Sequence, residues 1–318
     1  MKNHCTKAIY GLAGLLSVAA FWACGSGGGI SGTKLVAGPI AEFGSIVVNG
    51  VDFDTTNAVV TIEGDPAQVS ELRLGMYVFV LGDVDAATMT GNAERVASDH
   101  LLEGPVDGVD PAGGTFAALS QLVITDAATV FDQTTLATLA PGDVVEVFGV
   151  LDADANVRAT RVQKKDGVID FELTGTVTAL DTVAETFQIG ILTVDFSSAL
   201  IENAPPGGLA DGLLVEVETD QTPINDLMVA TSIDVLDPAF MFEVDEGAEI
   251  QGFVSAIVSA TEFVMNASQR VQTNANTRFE NGDASDLVLN AQIEADGVFD
   301  AQGILVAAEI EFVHAAAP

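Results

Sequence analysis

Leu139-Ala140-Pro141-Gly142-Asp143-Val144-Val145-Glu146-Val147, followed after a turn by Ala159-Thr160-Arg161-Val162, is the stretch that decides the fold. A leucine, two residues and a glycine lead into alternating apolar and polar positions, the pattern of a half-buried β-strand. The frame recurs at Leu72/Gly75, Leu209/Gly212 and Leu287/Asn290. Each copy is followed 17 or 18 residues later by Ala-x-x-(Val/Ile), at Ala93/Val96, Ala159/Val162, Ala230/Ile233 and Ala307/Ile310. Each is preceded 37 or 38 residues earlier by Gly-x-(Ile/Val), at Gly38/Ile40, Gly104/Val106, Gly175/Val177 and Gly252/Val254. A period of roughly seventy residues held this tightly means four tandem copies of one module.

The expected modules span residues 38–99, 104–165, 173–236 and 250–313. In the second, strands are expected near 105–109, 115–125, 128–131, 143–151 and 157–163. In the first, Asn49-Gly50 between apolar runs marks a hairpin, because this pair accepts the positive φ angles of a type I′ turn. A variable connector separates the third and fourth strands. In module one, Asp65-Pro66-Ala67-Gln68 reads as the opening of a short helix, with Asp65 as N-cap and Pro66 in the first position. In module three the connector is Pro205-Pro206-Gly207-Gly208, which cannot be helical. Two further positions, four and six residues beyond Asp54, Thr125, Asp195 and Thr273, keep register in all four copies: Ala58/Val60, Thr129/Phe131, Ala199/Ile201 and Thr277/Phe279. The fold class is therefore all-β. Five strands with a connector between the third and fourth is the order of an OB-like small barrel, and two-sheet sandwiches are the alternative.

The chain of 318 residues carries 46 Asp and Glu against 11 Lys and Arg, a formal charge of −35. A field of that sign repels phosphate backbones, so nucleic acid is not an expected partner. Two cysteines, Cys5 and Cys24, exclude a disulfide framework.

Residues 1–23 read as a signal peptide: Lys2 and Lys7 at the start, an apolar run from Ala8 to Trp22, then Ala23 before Cys24. Phe21-Trp22-Ala23-Cys24 resembles a bacterial lipoprotein lipobox, with Phe21 in the place usually held by leucine. That resemblance implies cleavage before Cys24, lipidation of its thiol, and attachment to a membrane through the lipid. A flexible tether follows in Gly25-Ser26-Gly27-Gly28-Gly29-Ile30-Ser31-Gly32, so residues 24–37 are expected to be lipidated cysteine and tether. No retention aspartate follows Cys24, which favours the outer membrane, on its periplasmic or surface face, in a Gram-negative cell. A plainly secreted protein with a chance cysteine is the alternative.

The glycine-rich start after Cys24, the motifs Gly38-Pro39-Ile40 and Phe43-Gly44-Ser45-Ile46-Val47-Val48-Asn49-Gly50, and the repeated Leu-x-x-Gly frame together resemble one family. It is the bacterial lipoprotein family carrying the domain of unknown function numbered 5666. The resemblance covers nearly all of the chain beyond the leader and implies no activity, since none is assigned to the family.

No catalytic constellation emerges from the residues. His4, His100 and His314 have no partner at strand or helix spacing, which removes a Ser-His-Asp reading. Trp22 falls in the leader, and Phe116, Phe131, Phe148 and Phe187 sit at core-like positions rather than forming stacking platforms. Carboxylates are numerous enough for a hydrolase pair, but nothing fixes two of them at a set separation. Calcium is the small-ligand expectation. Asp152-Ala153-Asp154-Ala155-Asn156 matches the first half of an EF-hand loop, and Asp83-Val84-Asp85 echoes it. Val157 stands where that loop needs glycine and Gln163 where it needs glutamate, and a hairpin turn favours Asp and Asn in any case. The expected metal ligands are then Asp152, Asp154 and Asn156, with no other cofactor. The expected role is a non-catalytic β-repeat scaffold or binding array for an unidentified protein or glycan.

Overall fold

Two of the repeated motifs clasp each other in every module. In the first, the Ile40 N–H donates to the Met76 carbonyl and the Gly75 N–H donates to the Ile40 carbonyl, both at 2.9 Å. The same exchange joins Val106 to Gly142 and Asp143, Val177 to Gly212 and Leu213, and Val254 to Asn290 and Ala291, at 2.8 to 2.9 Å. The second motif must turn sharply to offer its N–H, so its key residue is left-handed, with φ of 78° at Gly75, 88° at Gly142, 91° at Gly212 and 66° at Asn290. Glycine enters that region freely and asparagine is among the few side chains that tolerate it, which is why Asn290 can replace the glycine.

The computed structural model describes residues 32–42, 45–167, 170–236 and 246–313. The segment expected to be a signal peptide, Cys24, His4, His314 and most of the expected tether lie outside the described residues. The protein is all-β. Among the described residues helix is confined to short 3-10 turns such as Val69–Glu71 and Ala284–Asp286, and no helix is long and apolar enough to cross a membrane.

In module two the pairings run full circle. Leu102–Asp110 pairs with Thr115–Ala118, which pairs with Gln121–Ile124. That strand runs parallel to Val157–Lys165, which pairs with Val144–Leu151, and this last returns to Leu102–Asp110. Module four repeats the circle with Gly247–Ile257, Glu262–Met265, Gln269–Gln272, Leu305–Phe312 and Gln292–Phe299. The apolar residue of the connector strand then meets the apolar residue of the Ala-x-x-(Val/Ile) motif, in parallel, in all four modules: Val60 with Val96, Phe131 with Val162, Ile201 with Ile233, Phe279 with Ile310.

The sheets do not stop at module boundaries. The N-terminal half of each first strand extends past its own circle and pairs with that of another module. Gly32–Pro39 of module one runs parallel to Gly247–Ile257 of module four, and Leu102–Asp110 of module two runs antiparallel to Phe171–Thr176 of module three. Sheets therefore continue from module to module as a stack, joining one to four and two to three. Of three apolar clusters, one spans modules two and three without a break, one spans modules one and four, and one fills module one with Phe148 of module two added. Fully buried Phe53, Phe116, Phe148, Phe187 and Phe299 anchor them, each worth about 1.5–3 kcal/mol relative to exposure.

Three local expectations change. Gly32–Pro39 is a strand that takes in the end of the stretch expected to be tether, because pairing on both edges buries Lys34, Leu35, Val36 and Ala37. Residues 115–125 are a hairpin rather than one strand, since Leu119 and Ser120 both take positive φ (48° and 59°) and form its two-residue turn without any glycine. Asp65–Ala67 opens no helix. It is a short strand against Val59–Ile62, an edge position that tolerates Pro66, and the helical turn starts later, where the Gln68 N–H donates to Glu71 Oε2 at 2.7 Å.

Candidate functional site

Cys24 lies outside the described residues. Asp152, Asp154 and Asn156 are brought together on the turn between Val144–Leu151 and Val157–Lys165, where Asp152 is buried. Asp152 Oδ1 accepts the N–H groups of Asp154 and Asn156, both at 2.9 Å. Its Oδ2 accepts from Arg158 Nε at 2.9 Å and Asn156 Nδ2 at 3.2 Å. The turn fastens module two to module four: the Ala153 N–H donates to Asn290 Oδ1 at 2.9 Å, and Asn290 Nδ2 donates to Asp154 Oδ2 at 3.2 Å. The Arg158 guanidinium lies 5.0 Å from the centre of the Phe253 ring, a favourable cation–π distance. Asp83 accepts from Thr33 Oγ1 at 2.9 Å, and Asp85 accepts the Ala87 N–H at 2.9 Å.

His100 gains partners that spacing could not show. It lies on the link between modules one and two and is 4% exposed. Glu63 of module one sits 2.8 Å from Nδ1, and Glu172 of module three sits 3.1 Å from Nε2. Each ring nitrogen is thus faced by a carboxylate, one from module one and one from module three. Glu63 is fixed as well by the His100 backbone N–H, at 2.7 Å. Glu103 and Glu146 of module two also approach the ring, and Lys165 Nζ lies 2.9 Å from Glu146 Oε1. Burial pushes the imidazole pKa down, but Glu172 and Glu63 outweigh it and hold it well above the ordinary value. Burial also raises the Glu103 carboxyl, against the pull of Lys165 and His100.

A second buried cation marks the join of modules one and four. Lys34, 2% exposed, is 2.6 Å from Glu249 and in close contact with Asp296. Burial alone would lower its pKa, and these two carboxylates reverse that. Glu294, Glu309 and Glu311 join them in lining a cavity of about 140 Å³, closed on the module-one side by Val51, Val84, Ala86 and Met89. Burial, then the charges of Glu249 and Glu311, push the Glu294 carboxyl up to about 8. Burial raises Asp296 too, despite Lys34.

All four modules contribute to a cavity of about 350 Å³: Tyr77 and Phe79 from the first, Val150 from the second, Leu214 from the third and Ile250 from the fourth, with His100 on its wall. Tyr77 Oη donates to the Gln251 carbonyl at 2.7 Å and accepts from Asn266 Nδ2 at 3.3 Å, fixing the ring at the join. The long separations between these residues explain why the sequence did not reveal the site.

Fold and site together define a class: a tandem-repeat all-β protein whose modules interlock around a shared central cavity. The sequence model of one family, Domain of unknown function (DUF5666), matches residues 36–96, 103–163 and 251–311. The chain belongs to that family. No curated protein matches it. A solved structure, Drosophila Unr CSD456, is similar at 14% identity, covering 68% of this chain and 98% of that one with a TM-score of 0.17, too low to carry an argument. The unmatched module, the third, departs from the other three at one instructive place. Gly82, Gly149 and Gly297 sit at β-bulges in their last hairpins, where a Cβ would come within 2.1 to 2.3 Å of a backbone carbonyl oxygen. Module three has Thr219 at the corresponding position. Its last hairpin pairs only over Val215–Glu218 with Ser232–Val235, and its Leu227–Val229 strand crosses to a separate four-stranded sheet.

Proposed function

We propose that the protein is a non-catalytic, lipid-anchored scaffold of the bacterial envelope, built from four small OB-like barrels that bind a ligand collectively at their junction. The observation that carries this reading is the interlocking of the modules out of chain order, one with four and two with three, around a cavity that none of them encloses alone. Module interiors are filled with apolar side chains, which suits packing rather than chemistry. The five-strand circles of modules two and four support the barrel reading. Cys24 and the glycine-rich stretch after it support an anchor at the membrane, and the acidity argues against nucleic acid as a partner. The test is metabolic labelling with a fatty acid in the native host. The wild-type chain is expected to take up label and sediment with membranes, and Cys24→Ala to do neither. A labelled Cys24→Ala chain, or an unlabelled wild type in the soluble fraction, would leave the plainly secreted binding module in its place.

A hydrolase is the second reading, and Glu294 favours it. A buried carboxyl held protonated near neutrality is how a general acid is prepared. Its test is hydrolysis of a panel of glycoside and ester substrates, with loss of any activity in Glu294→Gln.

A further inference from the structure

We propose that Lys34 and Asp296 join in an intramolecular isopeptide bond, with Glu249 as the proton carrier, so that module one becomes covalently locked to module four. The cross-link goes beyond the scaffold reading and does not depend on it, because it assigns a reaction to the buried charges of the one–four join.

Geometry comes first. Lys34 stands on Gly32–Pro39, Glu249 on Gly247–Ile257 and Asp296 on Gln292–Phe299, three strands side by side in one sheet. Glu249 and Asp296 are directly opposite each other, so their side chains leave the sheet on one face with Cβ atoms about 5 Å apart. Lys34 Nζ donates to both carboxylates, to Glu249 Oε2 at 2.6 Å and to Asp296 Oδ2 in close contact. The three side chains are 2%, 9% and 14% exposed. Lys34 shares a strand face with Val36, which packs with Val51 and Val84 in the apolar cluster of module one. A lysine amine desolvated among apolar side chains is in the setting where it acts as a nucleophile.

The chemistry follows from where the protons sit. Burial works against the Lys34 charge, although Glu249 and Asp296 offset it, and burial raises the Asp296 carboxyl against the pull of Lys34. One proton passing along the existing hydrogen bond, from Nζ to Oδ2, turns the ion pair into a neutral amine beside a carboxylic acid. A dry site eases that exchange, because both buried charges vanish together. The amine lone pair then attacks Asp296 Cγ. Glu249 takes a proton from the attacking nitrogen and passes it to the departing hydroxyl. The new N–C bond replaces a C–O bond, one water leaves, and Glu249 ends as it began. The cavity of about 140 Å³ beside the three residues gives that water a place to go. No oxidant and no further reactant enters. Held in contact, amine and acid need no separate activation, since well-placed groups react as if at effective concentrations on the order of 10⁵–10⁸ M. The product ties together residues 262 positions apart.

The experiment uses the full chain, held folded at neutral pH after purification, then unfolded in denaturant, digested with trypsin and read by mass spectrometry. Expected is a branched peptide in which Lys34 is joined to Asp296 with the loss of one water, and no cleavage after Lys34. Asp296→Ala and Glu249→Gln should both lack the branch and be cut after Lys34. Glu249→Gln keeps the shape of the proton carrier and removes its basicity, so it separates moving a proton from filling space. If either variant does not fold, the wild-type digest carries the test. A wild-type chain cut after Lys34, with the peptides of both strands linear and at full mass, overturns the proposal and leaves the three residues as an ion-pair group. A branch that forms equally in Glu249→Gln, or one that runs from Lys34 to Glu249, overturns the roles given to the two carboxylates.

Discussion

Where module one meets module four, the first strands run parallel and a lysine is buried between carboxylates. Where module two meets module three, the first strands run antiparallel, Leu102 opposite Leu173, and one apolar cluster passes from module to module. Both joins extend a sheet, but they draw on different forces. The one–four join adds to its own apolar cluster a set of charges that water can no longer screen, so its strength changes with pH. The two–three join carries a continuous apolar cluster, with Glu103 opposite Glu172 and His100 against Glu172 as its titratable groups.

The sharpest way to break the comparison is Lys34→Ala. It leaves Glu249 and Asp296 buried without their cation and should cost about 4 kcal/mol, with the loss localised by faster amide exchange in Gly32–Pro39 and Gly247–Ile257. Leu173→Ala attacks the other join. It should cost about 3 kcal/mol as a cavity in a packed core, and the same amount at pH 5 and pH 8 in urea titrations.

Glu294 sharpens the contrast through pH. Its carboxyl stands at about 8 in the folded chain, against 4.5 as its ordinary value. Between those values the folded state holds the extra proton, so the stability it contributes is complete below about pH 4.5 and lost as pH rises through 8. Glu294→Gln should flatten that slope and stabilise the protein at pH 8 by an amount on the order of 2 kcal/mol, seen as a raised melting temperature. The smallest effect is expected at Asn290, which ties one pair of modules to the other. Asn290→Gly keeps the left-handed turn but loses both hydrogen bonds to the Ala153–Asp154 turn. It should cost about 1 kcal/mol and separate the melting of the two pairs in calorimetry.

Much of each module was legible because its repeated residues are tied by short-range geometry. The paired glycine motifs proved to be the two halves of the backbone clasp, and the Asn49-Gly50 hairpin follows from φ angles that any reader of turns would assign. The second-module hairpin was not legible, because Leu119-Ser120 carries no turn signal and is held left-handed by the strands it joins. How modules pair was equally hidden. Lys34 meets Glu249, and Glu63 meets Glu172, across whole modules, and no periodicity records which of four similar strands lies beside which. For the same reason His100, dismissed by spacing, became the centre of a charge cluster, whereas the Asp152 turn, which spacing favoured, spends its oxygens on its own backbone, Arg158 and Asn290.

Gly32–Pro39 has one more property. It is hydrogen-bonded along both edges, to Tyr77–Asp85 on one side and Gly247–Ile257 on the other. Tension applied to the chain ahead of Gly32 along the strand axis would load these bonds together in shear, instead of peeling them open one at a time. The first segment to feel a pull is thus the one gripped from two sides, by the earliest and latest modules of the chain, and its rupture force would exceed that of any terminal strand held along a single edge.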